Sequence, residues 1–337
     1  MKILITASTM VHIKNFHMPY IERLKEDGNE VYILSNGEGA DFNIPFEKKT
    51  LSFKNLCLVS KIRKILKKEH FDVVYLHTTL AAFYVRLAIK GLKRRPYVVN
   101  TVHGYLFSRS DSGIKKKVYL KCEKILKKQT DDIVVMNQED YEIATENALC
   151  LGNVYKINGM GIKNIIDVQR HKSEGFKRLT FVGEISKRKN QELLVRALAY
   201  LPSVHLTLVG DGACRSKIER LAKDIGVESR LTITGFTKDV LTYLGKADIY
   251  VSASKIEGLP FNIMEAMSAK LPIVASNIKG HRDLLPSSSL FESDNLDELV
   301  RLINEASYEQ VSYDIEKYKL ENVIDDNMRV YLSFVKE

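Results

Sequence analysis

Short apolar segments of strand length alternate along this chain with longer segments whose apolar residues recur every three or four positions. Residues 31–34 and 133–136 are continuous apolar runs, whereas residues 54–70 show the helical spacing. The second half repeats the alternation, with strands predicted over 179–182 and 204–209. Strands that alternate with helices predict an α/β fold with parallel sheets and a ligand site at the carboxyl ends of the strands.

The length of the chain predicts two domains, because 337 residues exceed what one ordinary hydrophobic core holds. Residues 164–177 are polar and lack clear periodicity, and we interpret them as the linker. This interpretation places an N-terminal domain at residues 1–165 and a C-terminal domain at residues 175–313. From Leu296 onward the spacing predicts helix to the end of the chain.

The net charge of +9 is concentrated in the first half of the chain. Residues 1–165 contain 27 Lys and Arg against 17 Asp and Glu, whereas the remainder contains 24 and 25. Such asymmetry indicates an anionic partner, which could be a membrane surface, an anionic acceptor or nucleic acid.

Two predicted helices, over residues 54–70 and 114–129, carry much of this charge together with an apolar stripe. Each helix by itself is better explained as a solvated face packed on a sheet, but together they could rest on anionic lipid headgroups. Nucleic acid is disfavoured, because aromatic residues do not interleave with the basic ones and no nucleic-acid-binding motif is present.

Other features of the sequence predict a cytoplasmic protein. The longest apolar runs are far too short to cross a bilayer, and Met1 is followed by a predicted strand rather than a signal peptide. The four cysteines form no Cys-x-x-Cys pair, which disfavours zinc sites and a disulfide framework.

Two acids, Glu257 and Glu265, flank a Gly-Leu-Pro turn that we predict to start a helix. Pro260 suits the first helical position, and Glu265 would lie about two turns into the helix. A helix N-terminus is a ready anion site, so a turn flanked by two acids suits a ligand with phosphates and hydroxyls, such as a nucleotide sugar. The alternative is a strand–turn–helix corner with two surface acids. The turn residues of this candidate site are Gly258, Leu259, Pro260 and Phe261.

A second candidate segment, residues 183–190, begins with Gly183 at a strand end and carries Lys187, Arg188 and Lys189 before a helix. The helix dipole disfavours three cations at this position, unless an anion such as a diphosphate lies among them. The alternative is a solvated loop. Two further turns, one at Gly210 and one at Gly235 and Phe236, are weaker candidates, and the second could present backbone groups to a base.

His103 and Gly104 follow a predicted strand, where residues of a cleft accumulate. A single histidine is more often a structural residue than a ligand. His12, His17 and His77 also fall at predicted strand ends or in the first loop, but no pair has the spacing of His-Glu-x-x-His, and we reject a metal site on that ground. The sequence motifs of serine hydrolases and P-loop kinases are absent.

The run Ser252-x-Ser-x-x-Glu257-Gly-Leu-Pro-x-x-x-x-Glu265-Ala-Met resembles the E-x7-E signature of glycosyltransferase family 4, whose members are retaining enzymes of GT-B fold. The resemblance extends along nearly the whole chain. Residues 181–190, 209–212, 235–236 and 279–284 follow in family order. Residues 12–20, 101–104 and 136–141 resemble bacterial capsule and exopolysaccharide glycosyltransferases.

The resemblance implies an α/β GT-B fold, in which two Rossmann-like domains have parallel sheets that face across a cleft. A C-terminal helix of about residues 314–337 would pack back on the N-terminal domain. The C-terminal domain would bind the nucleotide sugar and the N-terminal domain the acceptor.

The resemblance also implies roles for individual residues. Glu257 would hold hydroxyls of the donor sugar, and the turn at Gly258–Phe261 would contact the sugar and the distal phosphate. Lys189 would neutralise the diphosphate leaving group, and Glu265 would bind the ribose. His103 would contact the donor sugar, the backbone around Phe236 would contact the base, and no metal would be needed.

Two residues depart from the pattern of many relatives. Glu184 stands where they carry Arg, and an acid cannot neutralise a diphosphate, which assigns that contact to Lys187 or Arg188. Lys270 stands where Gly commonly precedes Leu-Pro, and we expect only a surface effect.

These observations together predict a retaining hexosyl- or N-acetylhexosaminyltransferase with a UDP-sugar donor. The predicted acceptor is a saccharide linked to undecaprenyl diphosphate at the cytoplasmic face of a bacterial membrane. The alternatives are an enzyme with a soluble or protein acceptor, a UDP-sugar epimerase, and an inactive scaffold subunit that binds a nucleotide sugar.

Overall fold

The computed structural model describes residues 1–47, 52–163, 176–307 and 311–336. Nearly all of the predicted linker lies outside these residues. The chain divides into unit 1, formed by Met1–Gly161 and Glu321–Glu337, and unit 2, formed by Ile162–Leu320.

Unit 1 is built on one parallel sheet. Its strands are β1 (Lys2–Thr6), β2 (Glu30–Ser35), β3 (Phe42–Asn43), β4 (Val73–His77), β5 (Tyr97–Val102), β6 (Asp132–Val135) and β7 (Val154–Lys156). They lie in the order β3-β2-β1-β4-β5-β6-β7, with every pairing parallel. The central strands are covered on both faces, which explains why their sequences are continuous apolar runs.

The described residues of unit 1 form six α-helices before β7. They are α1 (Met10–Phe16), α2 (Met18–Glu26), α3 (Phe53–Glu69), α4 (Thr79–Ile89), α5 (Ile114–Leu126) and α6 (Gln138–Glu146). The helix α3 buries Ile62 and Leu66 in a core that it shares with α4. Arg86 of α4 forms a buried two-pronged ion pair with Glu123 of α5, which ties these two helices together.

Unit 2 has a second parallel sheet, and the prediction of alternating strands and parallel sheets is confirmed in both units. Its strands are β8 (Lys177–Val182), β9 (Val204–Val209), β10 (Leu231–Ile233), β11 (Ile249–Ser252), β12 (Ile273–Ser276) and β13 (Leu290–Phe291), in the order β10-β9-β8-β11-β12-β13. Its helices are α7 (Gln191–Ala197), α8 (Arg215–Asp224), α9 (Val240–Lys246), α10 (Phe261–Ser268), α11 (His281–Leu284) and α12 (Leu296–Glu305).

The prediction of continuous helix from Leu296 to the end is wrong. The helix α12 ends at Glu305, and the last helix, α13 (Leu320–Tyr331), begins six residues later than the predicted start at 314. A 3₁₀ turn at Glu316–Tyr318 precedes α13, and the chain there pairs with Ile162, whose N–H lies 2.8 Å from the carbonyl oxygen of Tyr318. Helical spacing of apolar residues does not reveal such a pairing.

The helix α13 packs within unit 1 through polar and aromatic contacts. The Nδ2 of Asn327 donates to the hydroxyl oxygen of Tyr20 at 2.8 Å and to the carbonyl oxygen of Gly159 at 2.8 Å. The hydroxyl of Tyr75 donates to the carbonyl oxygen of Tyr331 at 2.7 Å. Among the described residues, no helix combines the length and apolarity needed to cross a membrane.

Candidate active site

Three glycine turns of unit 2 meet at the carboxyl ends of β8, β9 and β10. The N–H of Gly183 donates to the carbonyl oxygen of Val209 at 2.9 Å, and Gly210 forms an isolated bridge with Gly235. A Cβ atom on Gly210 would lie 2.1 Å from the carbonyl oxygen of Gly183, so only glycine fits there. The next residue, Phe236, leaves 82% of its surface exposed at this edge.

The two candidate segments of unit 2 contact each other through an ion pair. The Nζ of Lys189 lies 2.5 Å from Oε1 of Glu257, and both side chains are 9% exposed. Nη1 of Arg188 lies 2.9 Å from Oε2 of the same carboxylate. The backbone joins the segments as well, since the N–H of Lys255 donates to the carbonyl oxygen of Arg188 at 2.8 Å.

The charges around Glu257 leave this part of unit 2 with a local excess of positive charge. Burial would raise the pKa of Glu257, but Lys189 and Arg188 lower it to about 2, so the carboxylate is ionised at neutral pH. Two cations against one carboxylate leave one positive charge in excess. A ligand phosphate that reaches this point would therefore be attracted to the two cations.

The turn at Gly258–Phe261 is held in place by neighbouring backbone. A Cβ atom on Gly280 would lie 2.3 Å from the carbonyl oxygen of Gly258, so the two turns are in direct backbone contact. Nδ2 of Asn262 donates to the carbonyl oxygen of Val182 at 2.7 Å and fixes the start of α10 to the end of β8. Pro260 precedes α10 as its N-cap, one position earlier than predicted.

Glu265 is the fifth residue of α10 and therefore lies about one turn into the helix, not the predicted two. Burial raises the pKa of Glu265 to about 7. A hydrogen-bond donor that reached this carboxylate would stabilise its ionised form.

His281 is a residue of this region that sequence reasoning did not single out. It is fully buried, and its Nδ1 lies 2.8 Å from the carbonyl oxygen of Ser276, so Nδ1 carries the proton. Its Nε2 is buried without a hydrogen-bond partner in the described part of the chain. Burial lowers the pKa of His281 to about 4, although Glu257 acts in the opposite direction.

Glu184 stands where many relatives carry Arg, and the residues near it differ in what they contact. The side chain of Glu184 is exposed, and its backbone carbonyl oxygen accepts a hydrogen bond from Nε2 of Gln191 at 2.8 Å. Lys187 is exposed too, whereas Arg188 lies beside Glu257. Lys187 and Arg188 are the two predicted substitutes for the missing Arg. Of these two, Arg188 contacts another candidate residue, Glu257.

Four histidines of unit 1 form a cluster at the carboxyl ends of β4 and β5. We call His12, His17, His77 and His103 the histidine cluster. The rings of His17 and His77 are 3.8 Å apart, and Nδ1 of His77 lies 3.3 Å from Nε2 of His103. Burial lowers the pKa of His12 to about 4 and, with help from the neighbouring histidines, lowers the pKa of His17 well below its usual value.

The structure of the histidine cluster differs from what the sequence predicts for these residues. His12 was predicted in a loop but lies on α1, which begins where the side chain of Thr9 accepts a hydrogen bond from the N–H of His12. The search for metal-ligand spacing along the chain did not detect the cluster, because its members come from segments up to 91 residues apart. His103 belongs to unit 1, and the other predicted site residues belong to unit 2.

Comparisons with known proteins place this arrangement in a family. A model described as glycosyl transferases group 1 matches residues 163–322, and a model described as Glycosyltransferase Family 4 matches residues 20–147. Putative glycosyltransferase EpsD of Bacillus subtilis (strain 168) is 30% identical over 307 residues, covering 84% of this chain and 81% of EpsD.

One further relative and one solved structure of similar fold carry names that mention ligands. The Escherichia coli enzyme UDP-Gal:alpha-D-GlcNAc-diphosphoundecaprenol alpha-1,3-galactosyltransferase is 28% identical over 308 residues, covering 83% of this chain and 77% of its own. Anabaena HepE, solved in complex with UDP, has a TM-score of 0.71 at 18% identity, covering 99% of this chain and 100% of HepE. The likeness to HepE shows the fold alone.

The two family models together span both units, and the similarity to EpsD covers more than two thirds of each chain. The motif that Glu257 and Glu265 define runs, as expected, from the loop after β11 into α10. The chain belongs to glycosyltransferase family 4: it is a glycosyltransferase of GT-B fold, related to enzymes of bacterial polysaccharide synthesis.

Proposed function

We propose that this protein is a retaining glycosyltransferase that moves a hexosyl or N-acetylhexosaminyl group from a UDP-sugar to a lipid-linked saccharide. The observation that carries the proposal is the convergence of Arg188 and Lys189 on Glu257, beside the turn at Gly258–Phe261. Unit 2 binds the donor in this proposal, and unit 1 binds the acceptor.

The proposed reaction follows from where negative charge develops as the sugar is transferred. The acceptor hydroxyl attacks the anomeric carbon on the face from which UDP departs, so the configuration is retained. The bond from the anomeric carbon to the phosphate oxygen breaks, UDP takes the electron pair, and the hydroxyl proton passes to the departing phosphate. Lys189 and Arg188 stabilise the charge that grows on the diphosphate.

The other site residues bind the donor. The ionised Glu257 accepts hydrogen bonds from hydroxyls of the sugar, and Glu265 accepts them from the ribose. The exposed Phe236 lies at the same sheet edge as Gly183 and Gly210, and its loop contacts the base. His103 of unit 1, which the family resemblance assigns to the donor sugar, remains part of the proposal.

A UDP-sugar is favoured as donor by two of the relatives. Anabaena HepE was solved with UDP, and the E. coli relative is named for UDP-Gal. The acceptor of the E. coli relative is a saccharide on diphosphoundecaprenol, which favours a polyprenyl-diphosphate carrier for this chain as well.

Unit 1 offers a surface suited to the membrane in which such an acceptor resides. Phe53 at the start of α3 is 81% exposed, and Ile114 at the start of α5 is 80% exposed. Helices that connect parallel strands run antiparallel to them, so both helix starts lie at the carboxyl edge of the sheet. Lys54 follows Phe53, Lys115, Lys116 and Lys117 follow Ile114, and a groove of about 220 Å³ lined by Phe83, Val118 and Tyr119 opens beside α5. Apolar side chains among lysines suit an anionic bilayer, and we propose a peripheral location at the inner membrane face.

The test is UDP release from a panel of UDP-sugars, measured with and without a lipid-linked saccharide acceptor. The proposal predicts acceptor-dependent release, and a product whose anomeric proton in NMR shows the same configuration as the donor. Release without any acceptor would favour the epimerase, and transfer only to soluble acceptors would refute the lipid-linked one. No turnover with any donor that binds would favour the scaffold.

A further inference from the structure

Three rings of the histidine cluster are arranged around a common point. The ring centroids are 4.7 Å apart for His12 and His103, 5.0 Å for His12 and His17, and 5.4 Å for His17 and His103. Three imidazoles bound to one tetrahedral metal ion have centroids about 5 Å apart, because each ligand nitrogen lies about 2 Å from the ion. The spacing of these rings matches such a site.

Each of the three rings has a nitrogen available to a ligand. Nε2 of His12 and both ring nitrogens of His17 are buried without a hydrogen-bond partner anywhere in the described residues. If Nε2 of His103 donates its proton to His77, the free lone pair of His103 is on Nδ1. One ligand nitrogen from each ring lies within 4.8 Å of the other two.

Leaving such buried groups unpaired costs about 1–3 kcal/mol for each group. A ligand that accepts electron pairs from several of them at once would remove this cost. His77 stacks on His17 at 3.8 Å, which is too close for both rings to bind the same ion, so His77 serves as the neighbour that orients His103.

We propose that His12, His17 and His103 bind a divalent transition-metal ion of the zinc class. A site made only of imidazoles favours Zn²⁺, Co²⁺, Ni²⁺ or Cu²⁺ over Mg²⁺ and Ca²⁺. Coordinated nitrogens are about 3.3 Å apart in a tetrahedral site, so binding turns the rings until their ligand nitrogens converge, while the ring centroids keep nearly the same spacing. His12 and His103 are only partly buried and can turn. Three ligands leave one position open for an oxygen ligand such as water.

The site is tested on the full chain by titration with Co²⁺ after chelator dialysis. The proposal predicts about one Co²⁺ per chain, with the visible absorption of a tetrahedral ion that Zn²⁺ then removes. His12→Asn and His17→Asn should each weaken binding by about 100-fold, since even the loss of an outer partner costs 10–100-fold. His70→Asn is the matched control: His70 is exposed in the same unit, and Asn tolerates its positive φ of 51°.

X-ray absorption of the zinc-loaded wild type gives a result that needs no variant. It should show three histidine nitrogens at about 2.0 Å from the ion. The proposal is overturned if the wild type retains no zinc after gel filtration, if the spectrum shows fewer histidine ligands, or if the His12 and His17 variants bind like the control. No sugar donor or acceptor is present, so these outcomes are independent of the proposed glycosyl transfer. His103 belongs to both proposals, and its Nδ1 can serve only one of them at a time, which is why the variants are made elsewhere.

Discussion

The ion pair between Lys189 and Glu257 makes two buried side chains depend on each other. Glu257→Ala leaves the buried Lys189 without its nearest carboxylate. The uncompensated buried charge should lower the free energy of unfolding by about 3 kcal/mol. Chemical denaturation followed by circular dichroism measures the change.

A double variant supplies the control for this prediction. Glu257→Leu combined with Lys189→Met replaces the pair by apolar side chains of similar size and should restore most of the lost stability. An unfolding midpoint for Glu257→Ala equal to that of the wild type would show that the pair contributes nothing to the fold.

The raised pKa of Glu265 predicts a pH-dependent donor affinity. The carboxyl of the free protein ionises at about pH 7, so the fold is most stable below the usual pKa of 4.5, where the buried carboxyl is neutral, and this stability is lost as the pH rises through 7. Ribose hydroxyls that donate to Glu265 favour the ionised form. UDP-glucose should therefore bind about fivefold more weakly at pH 6 than at pH 7, where half of the carboxyl is ionised.

Isothermal titration calorimetry measures this dependence, with release of a proton expected on binding at pH 6. Glu265→Gln cannot titrate, so its affinity should not change between the two pH values. An equally strong pH dependence in Glu265→Gln would remove Glu265 from the ribose site.

At the scale of single residues, the sequence predicted the site residues that stand in a motif. It did not predict the contacts that form only when the chain folds. Glu257, Glu265 and Lys189 stand in recognisable runs. The contact between Lys189 and Glu257 spans 68 residues and depends on the junction of two loops, which no local pattern encodes. His281 is a single histidine without periodic context, and its burial next to Ser276 becomes evident only in three dimensions.

The helix α10 ends in a conformation that its sequence does not favour. Lys270 has a φ of 53°, and the N–H of Leu271 donates to the carbonyl oxygen of Ala266, as in a Schellman ending. The expectation of a surface effect alone was incomplete, because the backbone at this position favours glycine. Lys270→Gly should raise the free energy of unfolding by about 0.5–1 kcal/mol. Glycine removes the cost of the left-handed conformation, and part of this gain is lost because glycine has more conformational freedom in the unfolded chain.

Thermal unfolding of Lys270→Gly measures this effect against Lys270→Ala, which keeps the strained conformation and should not gain. A lower melting temperature for the glycine variant than for the wild type would contradict this account of the ending.

The helices α3 and α5 present the surface that we propose for the membrane. Phe53→Ser and Ile114→Ser should each weaken binding to anionic vesicles by about tenfold, because each removes an apolar side chain worth at least 1.5 kcal/mol when buried. Added salt should weaken the wild-type binding further. Co-sedimentation with phosphatidylglycerol vesicles measures both effects.

Tyr200→Ser is the matched control for these variants, because Tyr200 is a similarly exposed aromatic residue of unit 2. If the unit 1 variants sedimented with vesicles like the control, the bilayer would contact another surface.

At the scale of elements, periodicity predicted nearly every strand and most helices, but it did not predict where helical segments are interrupted. The helix α1 was predicted as a loop because seven residues are too few to show a helical period, and capping by Thr9 and the core contacts of Met10 and Ile13 stabilise it. The break before α13 comes from pairing with Ile162, a contact across more than 150 residues.

For the whole molecule, the alternation of strands and helices was sufficient to predict two parallel sheets. The order of the strands was not predicted, because it depends on which crossovers place β1 and β8 in the middle of their sheets. The histidine cluster illustrates the consequence. Its members lie at the ends of separate strands and on or beside a separate helix. The order of the strands brings them together, and their spacing along the sequence does not reveal it.

The measurement that tests the central claim most directly is the turnover of a UDP-sugar with a lipid-linked acceptor by wild type, Glu257→Gln and Lys189→Met. The account predicts that each variant lowers kcat by at least about 100-fold, because each removes a group that acts on the donor sugar or its leaving diphosphate. Lys270→Gly, which lies outside the site, should turn over like the wild type. A Glu257→Gln enzyme with wild-type turnover would contradict the assignment of this site.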